Sequence, residues 1–425
     1  MKSLIDKINA KLNAQEGFLK AVSVLVGGTA FAQIIGLICL PILTRLYSPE
    51  NYTILGVYVA IVSILSVIAC LRLEIAIPIP ESDREAKSLV FLALIINVIF
   101  VSILYLLLVF IYPFLEKFHI IQQLYFWVWF IPLGVLLSGI YSVLQYWSTR
   151  KKRFREIAKT RMTQAVSGNG VSLVVGTTSG SFGGLILGQL FSFGGGLLRL
   201  GNSTYKDLKQ IKERENLKET FYKYKDFPKY STFEALANIS ALQLPLIIIA
   251  SFFIGPEVGY LMLAMKILGI PMGLIGGAMS QAYLAHAPEF YKKGELYSYT
   301  ISILKKIFKL VIIPFLFLAL LSPYIFTFIF GTKWAGLGDY ILVMIPWYFM
   351  QILSSPISMA VHIVGKQKTA LVLQIAGFIL RVAVLWFVVI IEREFAVNYY
   401  IISGFLFYFF YILTILLSIR GSKDA

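Results

Sequence analysis

Two cations stand out because of where they lie. Lys266 and Arg381 each fall inside a long apolar run, and no Asp or Glu lies comparably deep in the chain. At a helical rise of about 1.5 Å per residue, Lys266 lies roughly 14 Å from the outer end of its run and Arg381 roughly 18 Å from the inner end of its own. A cation at mid-depth in a bilayer costs at least about 2.5–3.5 kcal/mol when it faces lipid, so each should face a wet cavity or a partner. Helical spacing places Lys266 on a face with Gly269, Gly273, Gly277 and Ser280, and Arg381 on a face with Gly377 and Gln374. Pro271 should loosen the Lys266 helix near its centre. Deep cations without deep carboxylates suit a passing anion, for which arginine offers a planar donor fork and lysine a point charge. The alternative is that both side chains snorkel or bond backbone carbonyls.

Gln33, Asn97, Gln145, Asn238, Gln243 and Gln351 complete the intramembrane polar set. Each fits either a cavity wall or an interhelical hydrogen bond. Arg72 and Glu74, at the inner end of an apolar run, read as a gate or as a structural ion pair. Familiar catalytic patterns are absent: there is no phosphate-binding GxxxxGK[ST] loop, no HExxH and no paired-cysteine metal site. His119, His286 and His362 are scattered, and Cys39 and Cys70 lie in apolar runs as small core residues. No cofactor or metal is expected, and the chain reads as a transporter, not an enzyme.

Such residues need apolar helices to hold them, and composition supplies those. Of 425 residues, 58 % are hydrophobic and 14 % charged, against roughly a quarter charged in a soluble domain. At about 20 apolar residues per span, candidate helices lie near 21–43, 52–71, 88–113, 121–147, 162–178, 182–199, 231–253, 257–281, 304–330, 338–362, 370–391 and 398–418. The first 20 residues are too polar for a signal peptide. Leu4, Ile5, Ile8 and Leu12 suggest a short amphipathic helix on the inner surface.

Lysine and arginine alternate between connections. Only Arg45, Lys117, Lys333 and Arg393 fall on the outer ones, so both termini should be cytoplasmic. The net charge of +16 then reflects inner loops facing anionic headgroups, and no nucleic-acid partner is expected. The spans divide into a six-helix lobe over 1–204, a basic amphipathic linker over 205–229 and a second six-helix lobe over 230–425. The linker should form a surface helix joining the halves. Ser48-Pro49-Glu50 and Gly255-Pro256-Glu257 open corresponding helices of the two halves, since Pro suits a first helical turn and Glu the positive end of the dipole. Gly184 and Gly188 have the spacing that lets helices approach closely.

The stretch LTRLYSPENYTILGVYVAIVSILSVIACLRLEIAIPIPESDREAKSL from Leu43 to Leu89 resembles the opening of Wzx-type O-antigen and polysaccharide flippases. WSTRKKRFREIAKTRMTQA, from Trp147 to Ala165, is similar to that family's basic loop. FGTKWAGLGDYILVMIPWYFMQILSSPISMAVHIVGKQKTAL, from Phe330 to Leu371, resembles its later segment through the tenth helix. The resemblance implies an all-α polytopic membrane protein with the MOP/MATE-like fold of the multidrug/oligosaccharidyl-lipid/polysaccharide exporters, two six-helix bundles about a central cavity. It implies a place in the bacterial cytoplasmic (inner) membrane. It also implies a cargo of glycan on undecaprenyl diphosphate, such as an O-antigen unit, with a polysaccharide polymerase and a chain-length regulator as partners. The related lipid II flippases carry an arginine–aspartate arrangement on the first helix. This chain has Gln33 there instead, which counts against peptidoglycan precursor as cargo.

The expected substrate site is therefore Arg381, Lys266, Gln374, Gln33 and Gln243, with Arg72 and Glu74 as the gate and alternating access as the mechanism. Two other readings remain: a multidrug or metabolite antiporter of the same superfamily, and a membrane polysaccharide polymerase or ligase. Deep cations oppose the first, and short outer connections oppose the second.

Overall fold

The structure is a computed structural model and describes residues 27–253 and 255–420. The expected amphipathic stretch of Leu4, Ile5, Ile8 and Leu12 lies outside the described residues. Helices follow one another as α1 (Gly27–Leu46), α2 (Pro49–Ala69), α3 (Asp83–Leu115), α4 (His119–Arg150), α5 (Phe154–Ser179), α6 (Gly183–Gln210), α7 (Phe227–Phe252), α8 (257–292), α9 (Leu296–Phe330), α10 (Thr332–Ile357), α11 (Lys368–Ile391) and α12 (Arg393–Arg420). No strand occurs among the described residues.

All but α5 and α8 are long and apolar enough to cross a membrane. α5 opens with the charged turns FREIAKTR, and α8 is divided by a π turn, Met272–Gly276, directly after Pro271. Both still occupy the fifth and eighth places read from the sequence. Large apolar side chains such as Phe110, Leu320 and Phe328 are exposed, as on a surface that meets hydrocarbon. The protein is a multi-pass membrane protein.

The helices form two compact units. One takes α1 as far as Leu43 together with Ile61–Leu236, and the other takes Thr44–Ala60 together with the chain from Ala237 onward.

In the first unit α5 packs closely on α6, where Gly168 and Gly188 let the two backbones meet. Asn97 Nδ2 donates to Leu136 O at 3.1 Å, an interhelical bond between α3 and α4. Basic residues here have definite partners. Arg150 donates to Pro80 O at 2.5 Å and Glu81 O at 3.2 Å, and it pairs with Asp83, as does Lys151 at 2.6 Å. Arg153 pairs with Asp207 at 2.7 Å, beside the bond from Trp147 Nε1 to the same carboxylate at 2.9 Å.

The linker is not the single surface helix expected. α6 runs to Gln210, residues 211–216 are non-helical, and a short helix, Leu217–Lys223, follows under an Asn216 cap. The start of α3 explains the break. Lys87 Nζ takes the carbonyls of Leu208 (3.0 Å) and Ile211 (2.6 Å), filling the orphan acceptors at a helix C-terminus, and Ser88 Oγ donates to Glu215 O at 3.0 Å. Tyr224 OH then donates to Glu85 Oε1 at 3.0 Å, and Lys223 pairs with the same carboxylate. Burial and the Glu85 hydrogen bond hold the Tyr224 phenol up at about 12.

In the second unit α10 lies at the centre, packed on α8, α9 and α12. α2 opens on Pro49, and α8 opens on Glu257 next to Pro256, as the paired Pro-Glu turns require. The two helix starts touch, Gly259 lying against Pro49 O. Trp334 is 0 % exposed; its Nε1 donates to Thr44 O at 2.9 Å while Tyr52 and Tyr260 cover its ring.

Candidate functional site

Arg381 occupies a π turn, Ile379–Ala383, in the middle of α11. Such single wide turns interrupt the regular helix ladder and recur at functional sites. The side chain is 3 % exposed. Its guanidinium lies 4.3 Å from the Phe407 ring centre, 5.0 Å from Tyr408 and 5.8 Å from Trp347. Two glycines make that cage possible. A Cβ on Gly377 would fall 2.4 Å from the Phe407 ring, and one on Gly404 would fall 2.3 Å from Trp347. The rings therefore lie against bare backbone.

Cation–π contacts of this kind contribute up to about 2 kcal/mol each when desolvated. They do not engage the in-plane N–H groups. Nε and Nη2 are buried and have no hydrogen-bond partner, and Arg381 forms no ion pair among the described residues. Each unpaired donor costs about 1–3 kcal/mol, and desolvating the ion costs several more. Arg381 is thus held in a position that does not serve stability.

The guanidinium borders a cavity of about 210 Å³. Asn238 from α7, Met272 from the π turn of α8, Gln351, Ser354, Ser355 and Ser358 from α10, Gln374 from α11, and Phe407, Tyr408 and Tyr411 from α12 line it. Ser354 Oγ donates to Gln351 O at 2.9 Å, Ser358 Oγ to Ser355 O at 2.8 Å, and Ser280 Oγ to Ser355 O at 3.0 Å. Because those hydroxyl hydrogens are spent on the helix, the serines present lone pairs elsewhere. Gln351 Oε1 is a further buried acceptor without a partner. Among the described residues no carboxylate lines the cavity.

The sequence-derived residues separate here. Arg381 and Gln374 share the cavity, with Gln351 and Asn238 beside them. Lys266 is exposed on α8 and Gln243 half-buried on α7, and neither lines it. Gln33 lies on α1 in the first unit, with its Oε1 buried. The aromatic and serine walls were not singled out from the sequence. FLFYFFY (405–411) and SSPIS (354–358) are the signals that carry them.

Arg72 and Glu74 lie just beyond the C-terminal end of α2, with Arg72 Nη1 3.8 Å from Glu74 Oε1. Leu71 and Arg72 both take left-handed backbone angles, φ 48° and 58°, a conformation that costs non-glycine residues of order 1–3 kcal/mol. Glu74 is 4 % exposed and its Oε2 has no partner. Burial pushes its carboxyl above the ordinary value, while a backbone hydrogen bond and Arg72 pull the other way. His119 and His286 are exposed, and no cluster of metal-ligating side chains occurs among the described residues.

A family model described as polysaccharide biosynthesis protein matches residues 42–338. Solved structures share the fold at low identity. The lipid II flippase MurJ in an inward closed conformation is 15 % identical with a TM-score of 0.72, covering 94 % of this chain and 87 % of that one. A MATE transporter in complex with MaL6 is 13 % identical with a TM-score of 0.59, over 96 % and 100 %. An outward-facing multidrug resistance MATE transporter of the MOP superfamily is 14 % identical, also at 0.59, over 96 % and 99 %. No curated protein matches the sequence.

Proposed function

The chain belongs to the polysaccharide biosynthesis protein family, and from that premise we propose that it moves undecaprenyl-diphosphate-linked oligosaccharide from the inner to the outer leaflet of the bacterial cytoplasmic membrane. The observation that carries this reading is Arg381. A buried cation with unpaired donors, walled by serine, amide and aromatic side chains, is suited to the anionic, hydroxyl-rich head of such a lipid. The isoprenoid tail would stay in the bilayer, and access to the cavity would alternate between the two sides. Lys266, exposed on α8, is a second cation offered to the cargo. Arg72 and Glu74 would form a gate on the cytoplasmic side, where both chain termini also belong. A polymerase and a chain-length regulator would act on the delivered units.

A multidrug antiporter for organic cations would want acidic groups in its cavity, and none lines this one among the described residues. A polymerase would need an outer catalytic surface, and the outer connections are short.

The test is deletion of the gene followed by analysis of lipid-linked glycan in the membrane. Cytoplasm-facing undecaprenyl-diphosphate glycan should accumulate. The intact chain should clear it, and Arg381→Ala and Lys266→Ala should not. Loss of drug or metabolite export without glycan accumulation would overturn the proposal.

A further inference from the structure

A groove that shares no lining residue with the Arg381 cavity runs between α9, α10 and α12 of the second unit. Leu304 and Phe308 of α9, Met350 and Leu353 of α10, and Phe409 and Leu413 of α12 line a hollow of about 420 Å³. Its floor is closed and its walls are open: Leu353 is 8 % exposed, against 46 % for Phe308 and 40 % for Leu413. Among the described residues its polar side chains are Lys305 and Lys309. A second apolar hollow, of about 190 Å³, continues it through the shared Met350 as far as Ala319. Phe349 joins the two, in T-shaped contact with Phe308 at 5.5 Å and with Phe315 at 5.7 Å.

We propose that this groove holds an anionic glycerophospholipid, with its phosphate at Lys305 and Lys309 and an acyl chain laid along α9. The leaflet is the inner one in the orientation proposed above, and nothing else in the inference rests on the cargo.

Depth places the two lysines at headgroup level. At about 1.5 Å per residue, Lys309 lies roughly 31 Å from Phe330, the last residue of α9. That is close to the full hydrocarbon thickness of about 30 Å, and Lys305 lies one turn nearer the water. Their stems can pack on the apolar wall while the ammonium groups reach the phosphates.

Charge selects the head. α9 contains no Asp or Glu, α12 none after Glu394, and α10 only Asp339, near its opposite end. Neither lysine forms an ion pair or hydrogen bond among the described residues. Spaced one turn apart, they stand on one helix face and repel each other, whereas Lys306 does not line the groove. A phosphate between them removes that repulsion. A zwitterionic head would bring an ammonium group back to the same place, so a net negative phospholipid is favoured.

Length selects the tail. From Lys309 to Ala319 the two hollows rise roughly 15 Å, half of the hydrocarbon thickness of about 30 Å. That is the reach of one acyl chain in one leaflet. A polyprenyl carrier tail is much longer and would leave most of its length outside.

The experiment uses the purified full chain in detergent, stripped of lipid, with palmitoyl-oleoyl phosphatidylglycerol, palmitoyl-oleoyl phosphatidylcholine and undecaprenyl phosphate as probes. Bound lipid is read by native mass spectrometry and its effect by thermal melting. Phosphatidylglycerol should be retained and should raise the melting temperature, and phosphatidylcholine should do neither. Replacing both lysines, Lys305→Gln with Lys309→Gln, should weaken phosphatidylglycerol binding at least tenfold. Both side chains are exposed, so without lipid this variant should melt like the native chain. Lys306→Gln should bind as the native chain does. Leu413→Trp, which fills the groove at a half-open position, should also lose the lipid. Equal retention of the two phospholipids, native binding by the double-lysine variant, or an equal loss in Lys306→Gln would each overturn the inference. So would displacement of phosphatidylglycerol by an equal amount of undecaprenyl phosphate, which would assign the groove to the carrier tail.

Discussion

Replacing Arg381 by methionine should stabilise the protein while abolishing transport. Methionine has similar length, fills the same space flexibly and brings no charge or N–H group. On one side of the balance stand the contacts with Phe407 at 4.3 Å, Tyr408 at 5.0 Å and Trp347 at 5.8 Å, contributing about 0.5–2 kcal/mol each. On the other stand two buried donors, Nε and Nη2, without partners, at about 1–3 kcal/mol each, and the desolvation of the ion, several kcal/mol more. The second group outweighs the first, so Arg381→Met should gain on the order of 1–3 kcal/mol, the range seen when buried ionic groups are replaced by apolar ones. Arg381→Ala, which leaves a void instead, should lose about 2–5 kcal/mol relative to the methionine variant. Tryptophan-fluorescence melting of the purified chains in detergent, in a chloride buffer, would rank the three proteins. Rescue of the deletion strain would score transport separately. If Arg381→Met melts well below the native chain, the guanidinium is a structural element with its hydrogen bonds met, and the argument for a ligand site fails.

Three further outcomes follow from the same structure. Gly377→Ala should force the Phe407 ring from 2.4 Å out to the ordinary contact distance of at least 3.4 Å, costing about 1–3 kcal/mol by overpacking, with lowered melting temperature and weakened transport. Glu74→Gln should change the pH dependence of stability. Because burial raises the folded carboxyl above its ordinary 4.5, the native chain loses stability as pH rises from there through the raised value. Melting curves of native and variant chains should therefore diverge across that window in favour of glutamine, and parallel curves would contradict it. Tyr224→Phe removes the hydrogen bond to Glu85, so the helix Leu217–Lys223 should detach at a cost of about 1–2 kcal/mol, read as faster tryptic cleavage between Arg214 and Lys218.

Much of the fold was legible because a bilayer imposes long apolar runs. The order of the twelve helices, the Pro-Glu starts of α2 and α8, and the close approach at Gly188 all follow from patterns local in sequence. The linker was less legible. Its basic residues suggested a surface helix, but the backbone between Leu208 and Glu215 is held by Lys87 and Ser88. Those partners lie more than a hundred residues away, and local propensity does not record them.

The two deep cations show where one-dimensional reasoning stops. Depth along a helix is countable, and it marked Lys266 and Arg381 alike. What separates them is rotation about the helix axis, which only the neighbouring helices define. Lys266 is exposed, while the π turn at Ile379–Ala383 and the bare backbone at Gly377 set Arg381 among Phe407, Tyr408 and Trp347. The wall facing it had to be assembled from α7, α8, α10 and α12. Its serines look like donors in the sequence and become acceptors only once their hydrogens are committed to their own helix. Where those hydrogens already point is a property of the folded helices that no residue type discloses by itself.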